Sequence, residues 1–255
     1  MEQKKIGNIK IEIFETKEDI GARVASLLSK ELRYNNSDGV KTVWGWAAGE
    51  SPRETYKELM RMHRQENLDF SSLESFMGDE YYGIGPEDSR SFNSYMHQNL
   101  LDHINSKKRN THFLYGDIDW KDTKDYCKNY ELSLKKSRGI KTQLLGIGLN
   151  GHILFNEPYS ALDSRTRVVK LDEMTRESSA SVFDGLGNVP AEGITMGVAN
   201  IMEADKVYLI AYGQKKADPI ERSVKGKVTG MLTAAYLQWH RDATFFLDKD
   251  AASRL

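Results

Sequence analysis

The sequence predicts an α/β fold, in which a parallel β-sheet carries α-helices on both of its faces. Short apolar or alternating segments typical of strands recur along the chain, and helical patterns of roughly ten to fifteen residues separate most of them. No stretch reads as a linker, because glycine and proline fall between the elements instead of clustering. A chain of 255 residues can bury the core that such a sheet requires. We therefore expect one domain over residues 1–255.

The first half of the chain consists of four strand-then-helix units. In the first, the alternating segment Ile9 to Phe14 predicts a strand, and a helix follows from about Lys17 to Arg33 with its apolar residues on one side. The remaining units pair a strand at Val40–Trp46 with a helix at Pro52–His63, a strand at Leu73–Met77 with a helix at Phe92–Asn105, and a strand at His112–Tyr115 with a helix at Asp122–Lys136.

Three more strands are expected in the second half, and they complete a Rossmann-like parallel sheet. They are Thr142–Leu145, Lys206–Tyr212 and Ala243–Leu247. The polar segment from about residue 159 to 189 is longer than an ordinary connection between strands. It predicts a helical, lid-like insertion over a site, with an extra surface helix pair as the alternative.

Composition excludes several classes of protein. With 36 basic and 37 acidic residues, the formal net charge of -1 attracts neither nucleic acid nor an anionic membrane. No apolar run approaches the eighteen or so residues of a membrane span, and the start of the chain lacks a signal-peptide core. The single cysteine, Cys127, lies in a charged amphipathic helix and suits a structural thiol, and the six histidines lack metal-binding spacing. We expect a cytoplasmic protein without a bound metal.

The segment Gly146 to Pro158 (GIGLNGHILFNEP) is the strongest candidate site, because it places polar side chains on a glycine-rich loop directly after an apolar strand. His152 can transfer a proton to and from an oxygen, and Glu157 can orient its imidazole. Asn150 can form a hydrogen bond with the imidazole or with the substrate. Gly146 and Gly148 let a ligand approach the backbone closely.

The same loop matches the G-x-G-x-x-G pattern of dinucleotide-binding folds. An acidic residue at Asp172 or Glu173 would satisfy one further requirement of that motif. However, Pro158 comes only seven residues after Gly151 and disfavours the sustained helix that should face the pyrophosphate. We therefore expect no nucleotide cofactor, and no other cofactor is indicated.

Three further segments also follow predicted strands. The first is a turn before a helix, formed by Ala48, Gly49, Glu50 and Ser51. Such a turn suits an anion such as a sugar phosphate, although the charge of Glu50 would repel it. The alternative is an ordinary helix start. The neighbouring carboxylates Asp79 and Glu80 could supply a base for a C–H proton, or could be a solvated loop or a helix cap. Lys215 and Lys216 could reach an anion, or could be solvated. All these segments should meet at one sheet edge.

These motifs resemble the glucosamine-6-phosphate deaminase (isomerase) family, which shares its fold with 6-phosphogluconolactonases. The resemblance extends over SPRETYKELMRMH, FMGDEYYGI, GIGLNGHILFNEPYSALDSRTR and the late VTGMLTAAYLQWH. The lactonase branch instead looks like D-G-H-T-A-S-L-F-P at the histidine and has Asp-Glu-Arg where this chain has Asp79-Glu80-Tyr81.

The resemblance implies conversion of an amino-sugar 6-phosphate and water to a ketose 6-phosphate and ammonia without a cofactor. His152, assisted by Glu157 and Asn150, would open the sugar ring, and Asp79 would move the C2 proton. Gly49, Ser51 and Lys216 would hold the phosphate. The other substrate-binding residues expected are Ala48, Glu50, Glu80, Gly146 and Gly148.

The chain departs from the family at a few positions. Asn150 stands where many members have Asp, and Ser181 stands where a phosphate-binding Arg is frequent, so that Arg176 or Arg53 would have to replace it. Val169 replaces a Lys of allosterically regulated members, although Arg167 is retained. A lactonase, or a sugar-phosphate sensor without catalysis, remains the alternative function. The sugar epimer at C4 and the choice between a monomer and a homo-oligomer stay open.

Overall fold

Two β-sheets form the framework of the chain, which the computed structural model describes over residues 1–255. Their strands are β1 (Glu2–Ile6), β2 (Ile9–Phe14), β3 (Val43–Trp46), β4 (Glu74–Met77), β5 (Asp79–Tyr81), β6 (Thr111–His112), β7 (Thr142–Leu145), β8 (Arg167–Lys170), β9 (Glu192–Thr195), β10 (Lys206–Ala211) and β11 (Ala243–Asp248). The large sheet has the order β1-β2-β11-β10-β7-β3-β4-β6. All its neighbours are parallel except β1 and β2, which form an antiparallel hairpin at one edge.

Helices cover both faces of the large sheet, which confirms the predicted fold class. They are α1 (Lys17–Ser37), α2 (Arg53–Glu66), α3 (Phe92–Asn99), α4 (Thr123–Lys136), α5 (Glu173–Ser179), α6 (Val198–Met202) and α7 (Ala217–Lys225). The side chains of β3 alternate between the two cores: Trp44 and Trp46 pack with α1, α2 and α3, whereas Val43 packs in the core that α4, α6 and α7 cover. None of these helices is long and apolar enough to cross a membrane.

The sequence pattern of α1 explains its position. Thr16 caps the helix by accepting the N–H of Asp19 at 3.1 Å. The apolar residues recur at helical spacing and are buried against the sheet, namely Ile20, Val24, Leu28 and Leu32.

Several predicted elements are shorter in the structure, and side-chain hydrogen bonds explain two of them. The helix predicted to Asn105 ends at Asn99, because the Asn105 side chain instead accepts the N–H of Phe70 at 2.8 Å. The strand predicted to Tyr115 ends at His112. Beyond it, the Tyr126 hydroxyl donates to the Phe113 carbonyl at 2.8 Å and accepts the N–H of Tyr115 at 2.9 Å. A side chain of α4 thus takes the place of a neighbouring strand.

The second sheet was not predicted. It is antiparallel, with the order β5-β9-β8, and β5 follows β4 after the single residue Gly78. The main chain therefore passes directly from the large sheet into the small one beside Asp79. Strands of three or four residues separated by loops leave too short a pattern to be recognised in the sequence.

The order of the strands locates a switch point. From β3 the chain proceeds outward to β4 and β6, and it then returns to β7 on the other side of β3. The loops after β3 and β7 consequently leave the same end of the sheet in opposite directions. In parallel sheets a crevice forms at this point.

Candidate active site

A cavity of about 400 Å³ lies at the switch point. The segments that follow β3, β4, β7 and β10 all contribute to its wall, as do the start of α3 and the inner side of α5. Of the residues expected to bind substrate or act in catalysis, the wall contains Ala48, Gly49, Glu50, Ser51, Asp79, Gly146, Gly148, His152 and Lys216. The structure thus brings together residues that are up to 168 positions apart in the sequence, from Ala48 to Lys216.

The turn after β3 presents free backbone donors. The N–H groups of residues 48–51 make no hydrogen bond within the protein. The turn is possible because Gly49 adopts a φ of 97°, a conformation that favours glycine. Unpaired N–H groups just before α2 form a site suited to an anion.

Three tyrosine hydroxyls fix the opposite side of this turn. Tyr56 donates to the Ala47 carbonyl at 2.6 Å, Tyr95 to Gly49 at 2.6 Å and Tyr212 to Glu50 at 2.9 Å. Because its carbonyls are already bonded, the turn is held in one conformation with its N–H groups unpaired.

Lys216 supplies a cation beside the turn. Its Nζ donates to the Ile147 carbonyl at 2.6 Å, and burial lowers the pKa of the ammonium below its ordinary value. Gly146 packs closely against the turn, since a Cβ at this position would lie 3.2 Å from the Ser51 hydroxyl. The turn, the glycine loop and the lysine therefore meet at one end of the cavity.

The carboxylate of Glu50 does not occupy the anion site. It pairs with Arg53 at 3.0 Å, and its side chain is 69% exposed. Only the backbone of Glu50 remains to contact a ligand in the turn, so the repulsion expected from the sequence is weakened by distance, pairing and solvent.

Substituting Glu50 by Ala is expected to change the affinity for inorganic phosphate by less than about threefold, since an exposed ion pair contributes little. Isothermal titration calorimetry measures the affinity for phosphate. For comparison, Lys216→Met should weaken phosphate binding by more than about tenfold. If Glu50→Ala binds phosphate more than about tenfold more tightly than the wild type, the Glu50 carboxylate lies in the anion site of the wild-type protein.

The imidazole of His152 belongs to a hydrogen-bonded group on the loop after β7. Its Nδ1 lies 3.2 Å from Glu157 Oε2, and the same carboxylate oxygen accepts the Asn150 amide at 2.8 Å. Asn150 also accepts the backbone N–H of His152 at 3.1 Å. The predicted catalytic residues Asn150 and Glu157 thus stand behind the imidazole and not in the cavity wall.

Glu157 remains a carboxylate in this group. Burial acts to raise its pKa, but hydrogen bonds from His152, Thr175 and Asn150 and the charge of His152 outweigh burial and lower it. Gly148 holds the imidazole from the other side, because a Cβ there would lie 2.5 Å from the ring. The Nε2 atom has no hydrogen-bond partner in the protein, so it is the ring nitrogen available to a ligand.

Asp79 is an ionisable group without a partner. It is only 5% exposed, its carboxyl makes no hydrogen bond, and it lies in the cavity wall. Burial raises its pKa well above the ordinary value, and the charge of Glu80 adds to this effect. A carboxylate kept at raised proton affinity is suited to accept a proton from carbon.

Glu80, expected from the sequence to bind substrate, faces away from the cavity. Its carboxylate accepts the N–H groups of Tyr81, Phe92 and Asn93 at 2.8 to 2.9 Å. It therefore caps the start of α3, which was the alternative interpretation. Burial raises the pKa of Glu80 to about 7, although the three N–H donors act to lower it.

A Glu80→Gln variant is expected to have a flatter stability profile between pH 4.5 and 7. Because the folded-state pKa is raised, the wild-type carboxyl stabilises fully below the unfolded value of about 4.5 and loses this contribution as the pH rises through about 7. Urea unfolding at several pH values measures the free energy of unfolding. An unchanged profile in the variant would show that Glu80 ionises in the folded protein as it does in water.

Neither proposed replacement for an arginine at position 181 reaches the cavity. Arg176 donates to the carbonyls of Leu186 and Val189 at 3.2 Å, and Arg53 pairs with Glu50. The arginine in the cavity wall is Arg90, whose guanidinium lies 5.1 Å from the ring centre of Phe183.

Arg90, Tyr81 and Tyr95 also line the cavity, and none of them was predicted as a site residue. Arg90 and Tyr95 lie at the start of a predicted helix, where an anion-binding role could have been considered. Tyr81 follows Asp79 by two residues and therefore could have been included in the candidate site. Neither of these signals by itself separates a site residue from a surface residue.

The segment of residues 159–189 passes over the cavity. It contains the strand β8, the helix α5 and a 3-10 turn at Leu186–Asn188. Thr175, Ser178 and Ser179 on α5, together with Val182, line the cavity. Ser179 accepts the Tyr81 hydroxyl at 2.8 Å, which attaches α5 to β5.

A turn suited to an anion, an imidazole with a carboxylate behind it and a buried carboxyl lie together at one switch point, an arrangement typical of an α/β enzyme that works by acid–base chemistry. The chain belongs to the family described as glucosamine-6-phosphate isomerases/6-phosphogluconolactonase, which it matches over residues 15–246.

Individual relatives agree with this assignment. The glucosamine-6-phosphate deaminase of Thermoanaerobacter sp. (strain X514) is 38% identical over 236 residues, which cover 92% of this chain and 91% of the relative. A solved monomeric glucosamine-6-phosphate deaminase superposes with a TM-score of 0.92 at 33% identity, covering 96% and 99% of the two chains. The 6-phosphogluconolactonase of Trypanosoma brucei shares the fold, with a TM-score of 0.77 at 19% identity over 96% of this chain and 98% of the lactonase.

Proposed function

We propose that this protein is a deaminating aldose–ketose isomerase that converts glucosamine-6-phosphate and water to the ketose 6-phosphate and ammonia. The observation that carries the proposal is the pairing, in one cavity, of the partnerless buried carboxyl of Asp79 with the imidazole of His152. Ring opening and proton transfer between carbon atoms need two such groups at separate positions. The family and the named relatives support the same activity.

The phosphate binds at the end of the cavity that holds the free N–H groups of residues 48–51 and the ammonium of Lys216. These donors orient the sugar without taking part in bond breaking. The desolvated lysine gains more from an anion than an exposed lysine would, because no solvent screens the pair.

The reaction then needs two proton-transfer centres. His152 accepts the proton of the C1 hydroxyl at Nε2 and delivers it to the ring oxygen, which opens the pyranose to the aldehyde. Asp79 removes the C2 proton while the ammonium group on C2 of the substrate gives a proton to the aldehyde oxygen, and an enolamine forms. Return of the proton to C1 gives a ketimine, which water hydrolyses to the ketone and ammonia. Every step is acid–base chemistry, so we propose no cofactor.

The wall residues come from positions 47 to 216, and we therefore propose that the whole chain acts as one catalytic unit, located in the cytoplasm. Galactosamine-6-phosphate is the second substrate candidate, since it differs only at C4. A lactonase of the same fold is the second functional candidate. It would use His152 and would have no need of a base for a C–H proton.

Ammonia release from the two amino-sugar phosphates, and acid release from 6-phosphogluconolactone, test the proposal directly. We expect ammonia from glucosamine-6-phosphate at a kcat typical of enzymes, about 1–10³ s⁻¹. Acid from the lactone without ammonia from either amino sugar would identify a lactonase. Thermal stabilisation by the amino-sugar phosphate without any turnover would identify a sensor.

A further inference from the structure

A buried hydroxyl of α5 contacts the imidazole of the site. Thr175 is 4% exposed, and its Oγ1 lies 3.1 Å from His152 Nδ1. The two residues are 23 positions apart and belong to different elements, so the contact exists only when α5 is docked over the cavity.

The chemistry of the two oxygens next to Nδ1 determines where the imidazole proton lies. The Glu157 carboxylate, at 3.2 Å, can only accept a hydrogen bond, so Nδ1 must carry the proton that it donates. The Thr175 hydroxyl oxygen is placed to accept the same proton while its own hydrogen points to the Glu157 carboxylate. Nε2 is then left as the unprotonated nitrogen at the cavity.

Glu157 alone holds the ring loosely. Its Oε2 also accepts the Asn150 amide at 2.8 Å, shorter than its contact with the imidazole, and its Oε1 is buried without a partner. A second oxygen on Nδ1 removes the rotational freedom that a single long hydrogen bond leaves to the ring.

The position of Thr175 is itself fixed. Its carbonyl accepts the Ser179 hydroxyl at 3.1 Å, and Ser179 accepts the Tyr81 hydroxyl at 2.8 Å. Tyr81 lies two residues after Asp79. One short helix therefore contacts the segments of both proton-transfer groups.

We infer that Thr175 is a positioning residue, which holds His152 in its Nδ1–H tautomer with Nε2 facing the substrate and makes this state depend on docking of α5. The expected effect on kcat rests on the proposed function, whereas the tautomer of His152 is a property of the protein without substrate. The charged groups that share the cavity with the imidazole are Glu157 behind it and Glu50, Asp79, Arg90 and Lys216 in the wall.

The test compares Thr175→Val, which keeps the shape and removes the hydroxyl, with Thr175→Ser, which keeps the hydroxyl. Thr55→Val is the matched control, because Thr55 is also fully buried but its hydroxyl has no hydrogen-bond partner. Nitrogen-15 shifts of the His152 ring, assigned by comparison with His152→Gln, report the tautomer without substrate. Steady-state kinetics with glucosamine-6-phosphate report kcat and KM separately.

We expect Thr175→Val to shift the ring signals toward a mixture of tautomers and to lower kcat about three- to tenfold with KM nearly unchanged, as loss of one hydrogen bond implies. Thr175→Ser should restore both, and Thr55→Val should match the wild type. Unchanged nitrogen shifts in Thr175→Val, or a serine variant that rescues neither readout, would overturn the inference. Wild-type protein that releases no ammonia would refute the proposed function, while the nitrogen shifts would still decide the role of Thr175.

Discussion

Replacing Asp79 by Asn is expected to lower kcat for ammonia release by about 10³-fold or more, within the range that a positioned acid–base group contributes. The carboxyl is the one ionisable side chain on the β4 side of the cavity that lacks a hydrogen-bond partner. An amide of the same shape cannot remove the C2 proton. KM should change little, because the anion turn and Lys216 are untouched.

The same substitution should make the protein more stable at neutral pH. The raised pKa of Asp79 means that its stabilising contribution is complete below the unfolded pKa of about 4 and is lost as the pH rises through the folded value. Asparagine has no charge to bury, so we expect the variant to unfold at a higher temperature than the wild type at pH 8. Calorimetric melting at pH 5 and pH 8 would show a larger gain at the higher pH.

Loss of activity together with gained stability distinguishes a functional residue from a structural one. A destabilised Asp79→Asn variant would indicate that the carboxyl supports the fold. Full ammonia release by a stable variant would remove Asp79 from the mechanism and with it the isomerase proposal.

Replacing His152 by Gln is expected to lower kcat by about 10²- to 10⁴-fold, because ring opening loses the group that carries the proton from the C1 hydroxyl to the ring oxygen. Affinity for inorganic phosphate should stay within about threefold, since the imidazole lies apart from the turn that holds the anion. His103→Gln is the matched control: His103 lies in an exposed turn outside the cavity wall and should leave kcat unchanged.

Activity within about threefold of wild type in His152→Gln would show that the pyranose opens without enzymatic help or that another group opens it. In the second case the residual activity should disappear on further substitution of Glu157, the remaining carboxylate of that loop.

Local patterns in the sequence were sufficient for most of the fold. The parallel strands and the long helices were predicted because apolar residues recur along each of them with a period set by the buried face. The small β5-β9-β8 sheet and the β1 hairpin strand were missed, since three to five residues of mixed polarity form no recognisable period.

For the site, the sequence could name residues but not the directions of their side chains. Asp79 and Glu80 are adjacent acids, and alternation along β5 turns one toward the cavity and the other toward the start of α3. The carboxylate of Glu50 pairs outward with Arg53, a contact that its position in the turn motif did not predict.

The sequence by itself determined the parallel strands of the large sheet, the long helices and the four strand-end segments from which the site is built, because chemistry and periodicity are local properties of the chain. Only the tertiary structure decided which groups face the ligand. Thr175 and Arg90 reach the cavity from distant elements. Asp79 gains its raised proton affinity from burial by the whole fold. Long-range packing, which no short motif encodes, sets these distances and environments.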